Sequence, residues 1–431
     1  MQKLIIIIFF SIIFSNQSYA TTLIQALSKA YKDNPKLNAE RENLIISKEE
    51  INEAKSDFLP SVTISGYVSN ENTTKLTNRS GADVQSTDVE PSQKSILIEQ
   101  TLFQGLGGVA NLKKSNIGLE LSKSRLKKAE QEILFEAIEA YTNLIINKKK
   151  VGINILNVNL IERQVENDKN RLERSEINLT DLAQSEASLA GANAKLIETQ
   201  NQLITSKLNY EKTIGIINNY EDLRETYVFN YELPRSLASA NQIAKKENPD
   251  LNIAILELKQ SQQDVLIARS ELSPSASLSY KITQTDDTSS SYDETDKETL
   301  KAEASWPIFS GGKNIASLKK SKSFRQQKQL LLEDSKKSNK ALVANAWSNF
   351  QSSKSFLTAI RSQVNAAEIA NEGITIEYES GSGRSTLDVI QSNSILLDAK
   401  INLVNSKRDF LLSQFKLLAS IGRLTGSYLG L

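Results

Sequence analysis

Rows of apolar residues spaced seven apart run through most of this chain, and they constrain its fold more than any other feature. Leu23, Ala30, Leu37, Leu44, Ile51 and Phe58 form one row, and Leu237, Ala244, Leu251, Leu258, Val265 and Leu272 repeat it at an offset of 214 (237 − 23). A strict seven-residue period holds one seam against a neighbour only when helices supercoil, so it specifies long paired helices rather than a globular amphipathic stripe. Ala137, Leu144, Val151, Val158, Val165, Leu172 and Leu179 form a longer row, matched at an offset of 206 (343 − 137) by Val343, Phe350, Leu357 and Val364. A returning row, Leu182, Leu189, Leu196, Leu203 and Tyr210, is matched at 207 (389 − 182) by Val389, Leu396, Leu403, Phe410 and Leu417. A helix from about 108 to 174 extends roughly 100 Å at about 1.5 Å per residue, a device for spanning distance.

The punctuation between the rows is duplicated too. Asn34-Pro35 answers Asn248-Pro249, where a helix bends or restarts, and Pro60-Ser61 answers Pro274-Ser275, where it ends. After each second proline the period changes to two. Val62, Ile64 and Val68 alternate with polar residues, as do Ile96, Ile98 and Leu102. In the second half Ala276, Leu278, Tyr280 and Ile282 oppose Ser277, Ser279, Lys281 and Thr283, while Leu300, Ala302, Ala304, Trp306 and Ile308 oppose Lys301, Glu303 and Ser305. One apolar and one polar face is the pattern of a membrane barrel wall, although a half-buried hairpin shares it. Trp306, Phe309 and Phe103 at the strand ends favour the membrane, where aromatics sit at the interface. Each second strand then turns a corner into a long helix, at Gly105, Gly107 and Gly108 in one copy and Gly311 and Gly312 in the other. The polar segments joining the strands, 70–93 and 284–299, read as solvated surface loops.

The domain plan follows. A first copy covers 21–216, with strands at about 62–70 and 95–103 and a helical hairpin at about 108–216. A linker at 217–234 leads to a second copy over 235–431, with strands at about 276–283 and 300–308 and a hairpin at about 312–424. Residues 1–20 read as a cleavable export signal: Lys3, an apolar run from Leu4 to Phe14, and small residues at Ser18 and Ala20. That run is too short to span a bilayer as a helix.

Composition excludes several chemistries. The chain has no cysteine and no histidine, so disulfides, zinc-thiolate sites and a Ser-His-Asp triad are ruled out, and no enzyme, cofactor or metal is expected. With 52 basic against 51 acidic residues it has no field to draw nucleic acid. The Gly105 to Gly108 cluster is a turn rather than a phosphate loop, because its counterpart Gly311-Gly312 occupies the same corner without the spacing.

Four strands cannot close a barrel, and an open sheet edge in lipid leaves backbone groups unpaired, so the barrel must be shared between chains. Two chains give eight strands and a filled interior; three give twelve and a lumen, which suits the polar face of Ser277, Ser279, Lys281 and Glu303. The order of helix, two strands and long hairpin, made twice, with Asn-Pro and Pro-Ser marks and a Phe-x-Gly-Gly-type corner, resembles the TolC family of outer-membrane efflux proteins. The resemblance covers essentially the whole chain after the signal, and 171–186 is particularly similar to members serving type I secretion. It implies a mainly α fold with membrane β: a homotrimer whose 12-stranded barrel in outer-membrane lipid continues as an α-helical tunnel across the periplasm. It also implies two partners, a periplasmic adaptor and an inner-membrane transporter, ABC or proton-driven.

The resemblance further implies a gate at the hairpin tips, with Tyr378 and Arg384 of one hairpin bonded to Thr180 and Asp181 of another. Asp388, repeated threefold, lines the constriction, and Gln391 stands where a second acid is common. From the residues alone, Asp181 and Asp388 also read as helix N-terminal caps. Departures from the family pattern are a second tip one residue longer than usual, through Ser380-Gly381-Ser382-Gly383, and Ser175 in place of a glycine. The alternative is a non-channel trimeric stalk, or an adaptor-like structural protein. A stalk does not reverse direction four times, and an adaptor has one helical hairpin flanked by β domains.

Overall fold

A computed structural model of the chain describes residues 22–77, 80, 81, 83, 84, 87–217, 223–225, 231–289, 292–381 and 383–431; the export segment 1–20 and part of the 217–234 linker lie outside them. Helix α1 (Leu23–Asp33) opens on a reciprocal cap between Thr22 and Gln25 and stops at extended Asn34, because a residue before proline is driven out of the helical region. Helix α2 (Pro35–Ser56) leads past Pro60 into β1 (Ser61–Val68). The next segment holds four short strands, β2 (Glu71–Thr73), β3 (Leu76–Thr77), β4 (Asp83–Val84) and β5 (Thr87–Val89), before β6 (Ser92–Gln104). Helices α3 (Gly107–Glu173) and α4 (Leu179–Thr213) make the first hairpin. The order then recurs as α5 (Leu237–Glu247), α6 (Pro249–Ser270), β7 (Ser275–Ser289), β8 (Tyr292–Ser305), α7 (Lys313–Glu379) and α8 (Thr386–Ser420), with a short α9 (Gly426–Leu429) at the end. Both outgoing helices have 67 residues and both returning helices 35, so the duplication read from the seven-spaced rows is also one of length.

Three expectations are corrected. Segments 70–93 and 284–299 are not loops: the first carries the β2–β5 and β3–β4 ladders, and β7 and β8 pair through most of the second, with Gln284 opposite Asp296 and Asp286 opposite Glu294. Both faces are polar there, so no alternation marks a strand, yet the register set by the apolar rows below carries the pairing onward. Trp306 and Ile308 lie beyond β8, which ends at Ser305. Leu179 also leaves its row, because α3 stops at Glu173 and Leu179 is an exposed first residue of α4.

Two compact units cut across the sequence halves. The unit built from residues 39–128 and 248–341 contains the sheet, ordered β1-β6-β7-β8 and antiparallel throughout. Directly paired residues share a face. Val62, Ile98, Tyr280 and Leu300 form one cross-strand row, and Ser61, Glu99, Ser279 and Lys301 form the next on the other face. The apolar face lies open, with Val62 at 62% and Leu300 at 71% exposure, and both β1 and β8 are unpaired edges in one chain. Trp306, Ile308 and Phe309 continue the exposed apolar surface past the strand ends, where Trp306 Nε1 donates to the Leu272 carbonyl at 3.1 Å. No described helix is long and apolar enough to cross a membrane.

The corners lie in this unit. Positive φ falls on Gly105 (61°) and Leu106 (65°) in one copy and on Gly311 (61°) and Gly312 (80°) in the other. A Cβ on Gly105 would sit 2.5 Å from Ser273 Cβ, so both backbone angle and space demand glycine there. Gly107 and Gly108 already belong to the first turn of α3, and the residue that shares the turn is Leu106.

The second unit, residues 1–38, 129–247 and 342–431, holds the main apolar core. Leu23 and Leu27 of α1, Leu134, Ile138, Tyr141 and Leu144 of α3, and Phe415, Leu417 and Leu418 of α8 are fully buried. Ala240, Ala244, Val343 and Ala346 let neighbouring backbones approach. Arg423 binds Glu247 through two hydrogen bonds of 3.0 and 2.8 Å, the fork geometry that fixes orientation as well as charge.

Candidate functional site

The hairpin tips lie in the second unit and repeat each other closely. After Glu173 the first tip turns with Ser175 N–H on the Leu172 carbonyl (2.8 Å) and Glu176 N–H on the Arg171 carbonyl (2.9 Å). This closes the helix with a left-handed residue at the position where glycine is usual, and Ser175 takes φ 59° to do so. The Glu176 carboxylate receives Arg171 Nε at 3.2 Å and Arg174 Nε at 3.1 Å. Asn178 then caps α4: Asp181 N–H donates to Asn178 Oδ1 at 3.0 Å, and Asn178 N–H donates back to Asp181 Oδ2 at 3.3 Å.

The second tip has the same device 207 residues later (385 − 178; 388 − 181). Ser385 Oγ accepts from Asp388 N–H at 3.2 Å, and Asp388 Oδ2 accepts from Ser385 N–H and Oγ at 2.9 Å each. These hydrogen bonds, then the Arg384 charge, hold the Asp388 carboxyl below its ordinary value of 3.8. Six residues, 380–385, join α7 to α8, against five, 174–178, in the first tip. Gly381 and Gly383 take φ 74° and 85°, and Ser382 lies outside the described residues.

Within one chain the residues singled out for the gate are spread over local contacts. Thr180 is exposed, Asp181 serves its cap, and Gln391 is exposed on α8. Arg384 Nε donates to Glu377 Oε2 at 2.6 Å, on its own hairpin. Tyr378 is different, for it is 3% exposed and reaches the other hairpin. Its hydroxyl donates to Asp168 Oδ1 of α3 at 2.6 Å and lies 3.0 Å from Thr386 Oγ1 of α8; with the phenol hydrogen on Asp168, Thr386 is the donor. Ser185 Oγ of α4 donates to Asp168 Oδ2 at 2.5 Å, and Gln164 Nε2 donates to Oδ1 at 2.9 Å. The Arg171 guanidinium stacks 4.4 Å from the Tyr378 ring centre. Burial, then the bond to Asp168, raises the Tyr378 phenol above its ordinary value of 10.0, so it stays a donor across the physiological range.

Asp168, Ser185 and Thr386 are the residues that sequence reasoning missed. Their signal is positional: Asp168 and Ser185 stand three places after the seam residues Val165 and Leu182, where a coiled coil places its second apolar contact. A charge at such a seam demands partners. Among the described residues no group of three or more Asp and Glu side chains is placed to hold a metal ion.

Comparison with known proteins fits this arrangement. The family described as outer membrane efflux protein matches residues 26–215 and 240–423. The outer membrane efflux protein BepC of Brucella suis biovar 1 is 27% identical over 412 residues, covering 95% of this chain and 87% of BepC. The outer membrane protein TolC of Escherichia coli strain K12 is 22% identical over 426 residues, covering 95% and 84%. The crystal structure of the Campylobacter jejuni CmeC outer membrane channel is similar in fold, with a TM-score of 0.82 at 15% identity, over 94% of this chain and 86% of that one.

Proposed function

The chain belongs to the outer membrane efflux protein family, and from that premise we propose that three copies form the exit duct of a tripartite export system. The observation that carries this is the sheet: four antiparallel strands with two open edges and an exposed apolar face. The edges are stable in neither water nor lipid unless other chains complete them, and the apolar face is stable only against lipid. Because β1 and β8 run in opposite directions, each β8 can pair with the β1 of a neighbouring copy and keep the alternation, and three copies of four strands give twelve. A barrel of that size keeps an aqueous lumen, lined by the row of Ser61, Glu99, Ser279 and Lys301. The hairpins continue the duct through the periplasm toward an adaptor and an inner-membrane transporter, ABC or proton-driven. The likeness of 171–186 to secretion members favours protein cargo delivered by an ABC transporter.

The tips close the inner end. Thr180 and Asp181 of one chain face Arg384 of the next, and three Asp388 side chains line the constriction with Gln391 beside them. An Arg-carboxylate contact across chains is directional, and it yields when an adaptor offers better contacts.

Two measurements test this. The native mass of the complex extracted from outer membranes in detergent should be three times that of the mature chain, and a monomer would refute the shared barrel. In planar bilayers Arg384→Ala and Asp181→Ala should each raise single-channel conductance; unchanged conductance in both removes these residues from the gate.

A further inference from the structure

Resting on the duct reading, we propose that the junction between neighbouring chains repeats the chain's own internal junction, with α2 of one copy seated on α6 and α7 of the next. One of its ion pairs is turned round, so that inner and outer junctions cannot be exchanged. The two copies map onto each other through two offsets, 214 for α2 and β1 onto α6 and β7, and 206 for β6 and α3 onto β8 and α7. The sheet shows that this map carries contacts as well as sequence. Ser61 lies opposite Glu99, and Ser275 lies opposite Ser305 (61 + 214; 99 + 206).

Inside one chain the first copy meets the second where α3 lies against α6. Lys114 binds Asp264 at 2.7 Å, Lys128 binds Asp250 at 2.6 Å, and Gln260 Nε2 donates to the Lys114 carbonyl at 3.4 Å. Gln260 closes one side of a groove of about 500 Å³ between α2 and α3, over Glu53 and Ala54. The corresponding groove between α6 and α7, of about 640 Å³, is floored by Ile267 and Ala268 (53 + 214; 54 + 214). Phe324 forms its wall where the first copy has Gly118 (118 + 206), and all of its lining comes from these two helices. The residue that maps onto Gln260 is Ile46 (260 − 214), exposed on α2. Isoleucine gains by entering an apolar groove as glutamine does by closing a polar one, and Ile46 of the next chain fills the site.

The charges follow the same map. Lys114 and Asp264 become Lys320 and Glu50 of the next chain (114 + 206; 264 − 214), an ion pair of the same sense. Lys128 and Asp250 become Asp334 and Lys36 (128 + 206; 250 − 214), an ion pair of the opposite sense. The weaker Arg125–Glu257 contact, at 3.5 Å, is not kept, for its counterparts are Leu331 and Asn43. Strand pairing agrees with the helices: Gln100 opposite Leu278 and Ile98 opposite Tyr280 place Trp306 opposite Ile64 of the next chain and Ala304 opposite Gly66. The reversed pair supplies selectivity. Docking α3 on the α2 of another chain would set Lys128 against Lys36, and docking α7 on a second α6 would set Asp334 against Asp250. Like charges oppose both exchanges, so a ring grows only by α7 meeting the α2 of a further copy.

The chain has no cysteine, so introduced cysteine pairs report these contacts one at a time. In complexes extracted from outer membranes, a short thiol cross-linker should join Glu50→Cys with Lys320→Cys into covalent trimers on a denaturing gel. The yield should match that of Lys114→Cys with Asp264→Cys, which is joined within one chain. Asn43→Cys with Lys320→Cys, displaced by two helical turns or about 10 Å, should stay largely unlinked. If the Glu50 and Lys320 variant fails to assemble, Ile46→Cys with Phe324→Cys reports the same junction. The reversed pair is tested by charge exchange. Asp334→Lys should shift the trimer-to-monomer ratio about two- to fivefold at each junction, and roughly ten- to a hundredfold over three; adding Lys36→Asp should recover much of that loss. Because Lys36 also lies 3.6 Å from Glu132 of its own chain, recovery is read as coupling, with the double variant losing less than the two single losses combined. Native trimers linked through Asn43 instead of Glu50, or through neither, overturn the junction and leave the duct standing. A double variant whose loss equals the two single losses combined overturns the reversed pair, and a complex of monomer mass removes junction and duct together.

Discussion

A single charge placed on the proposed lipid face offers the sharpest check on the barrel, and Ile98 is the position for it. Ile98 lies in the exposed row with Val62, Tyr280 and Leu300, five residues before Phe103 at the strand end. At about 3.4 Å per residue and a tilt near 40°, five residues rise about 13 Å along the barrel axis. The apolar band of such barrels is about 25 Å tall, so Ile98 sits near its midplane, where arginine costs most. Ile98→Arg should cost about 2–4 kcal/mol per chain, and about 6–12 kcal/mol over three copies. Thr101→Arg, three residues on and therefore on the other face, should cost about 0–1 kcal/mol, since it points into water. The assay is the fraction of each variant recovered as trimer in outer membranes, with the dissociation temperature of whatever assembles. Equal recovery of the two variants, or a worse result for Thr101→Arg, would refute the assignment of faces and with it the lumen.

Two further predictions concern the tips. Ser175 holds φ 59° without being glycine, and left-handed backbone costs other residues about 1–2 kcal/mol; Ser175→Gly should therefore raise the dissociation temperature, and a fall would show that the side chain matters more than the strain. The Asp388 carboxyl is depressed below 3.8, so its stabilisation of the second tip is present above that value and lost only as pH falls through its lowered value. Block of the channel by multivalent cations at the constriction should thus hold from pH 7 to about 4.5 and disappear in Asp388→Asn; a block that titrates near pH 6 would place the charge elsewhere.

Much of the fold is legible because it is periodic. The seven-spaced rows carry the helices and the Pro-Ser marks carry the strand starts, because both reflect repeating contacts that leave repeating residues. What escapes is aperiodic. The upper parts of β7 and β8 pair through Thr, Asp, Glu and Gln on both faces, so their strand character comes from register and leaves no contrast to read. Leu106 carries a positive φ that no residue rule would assign to leucine; the neighbouring glycines announce the corner but not which residues bend. At the tips the N-caps are Asn178 and Ser385, and Asp181 and Asp388 stand three residues inside them as the reciprocal partners, not at the cap position that their residue type suggested. Asp168 looks in the sequence like a lapse in an apolar seam, and only its three donors reveal why a charge stands there.

The two unpaired edge strands have a consequence for how the protein comes into being. A lone chain carries β1 and β8 with their backbone groups unpaired, next to an apolar face it cannot fold away. Such a species is a template for indiscriminate strand pairing. Its fate is a race between capture by two sister chains and capture by anything else, and the winning outcome needs three chains together. Yield should therefore respond more steeply than linearly to the supply of newly exported chains: halving synthesis should remove well over half of the finished ducts, and the loss should appear as aggregated chain rather than as stable monomer.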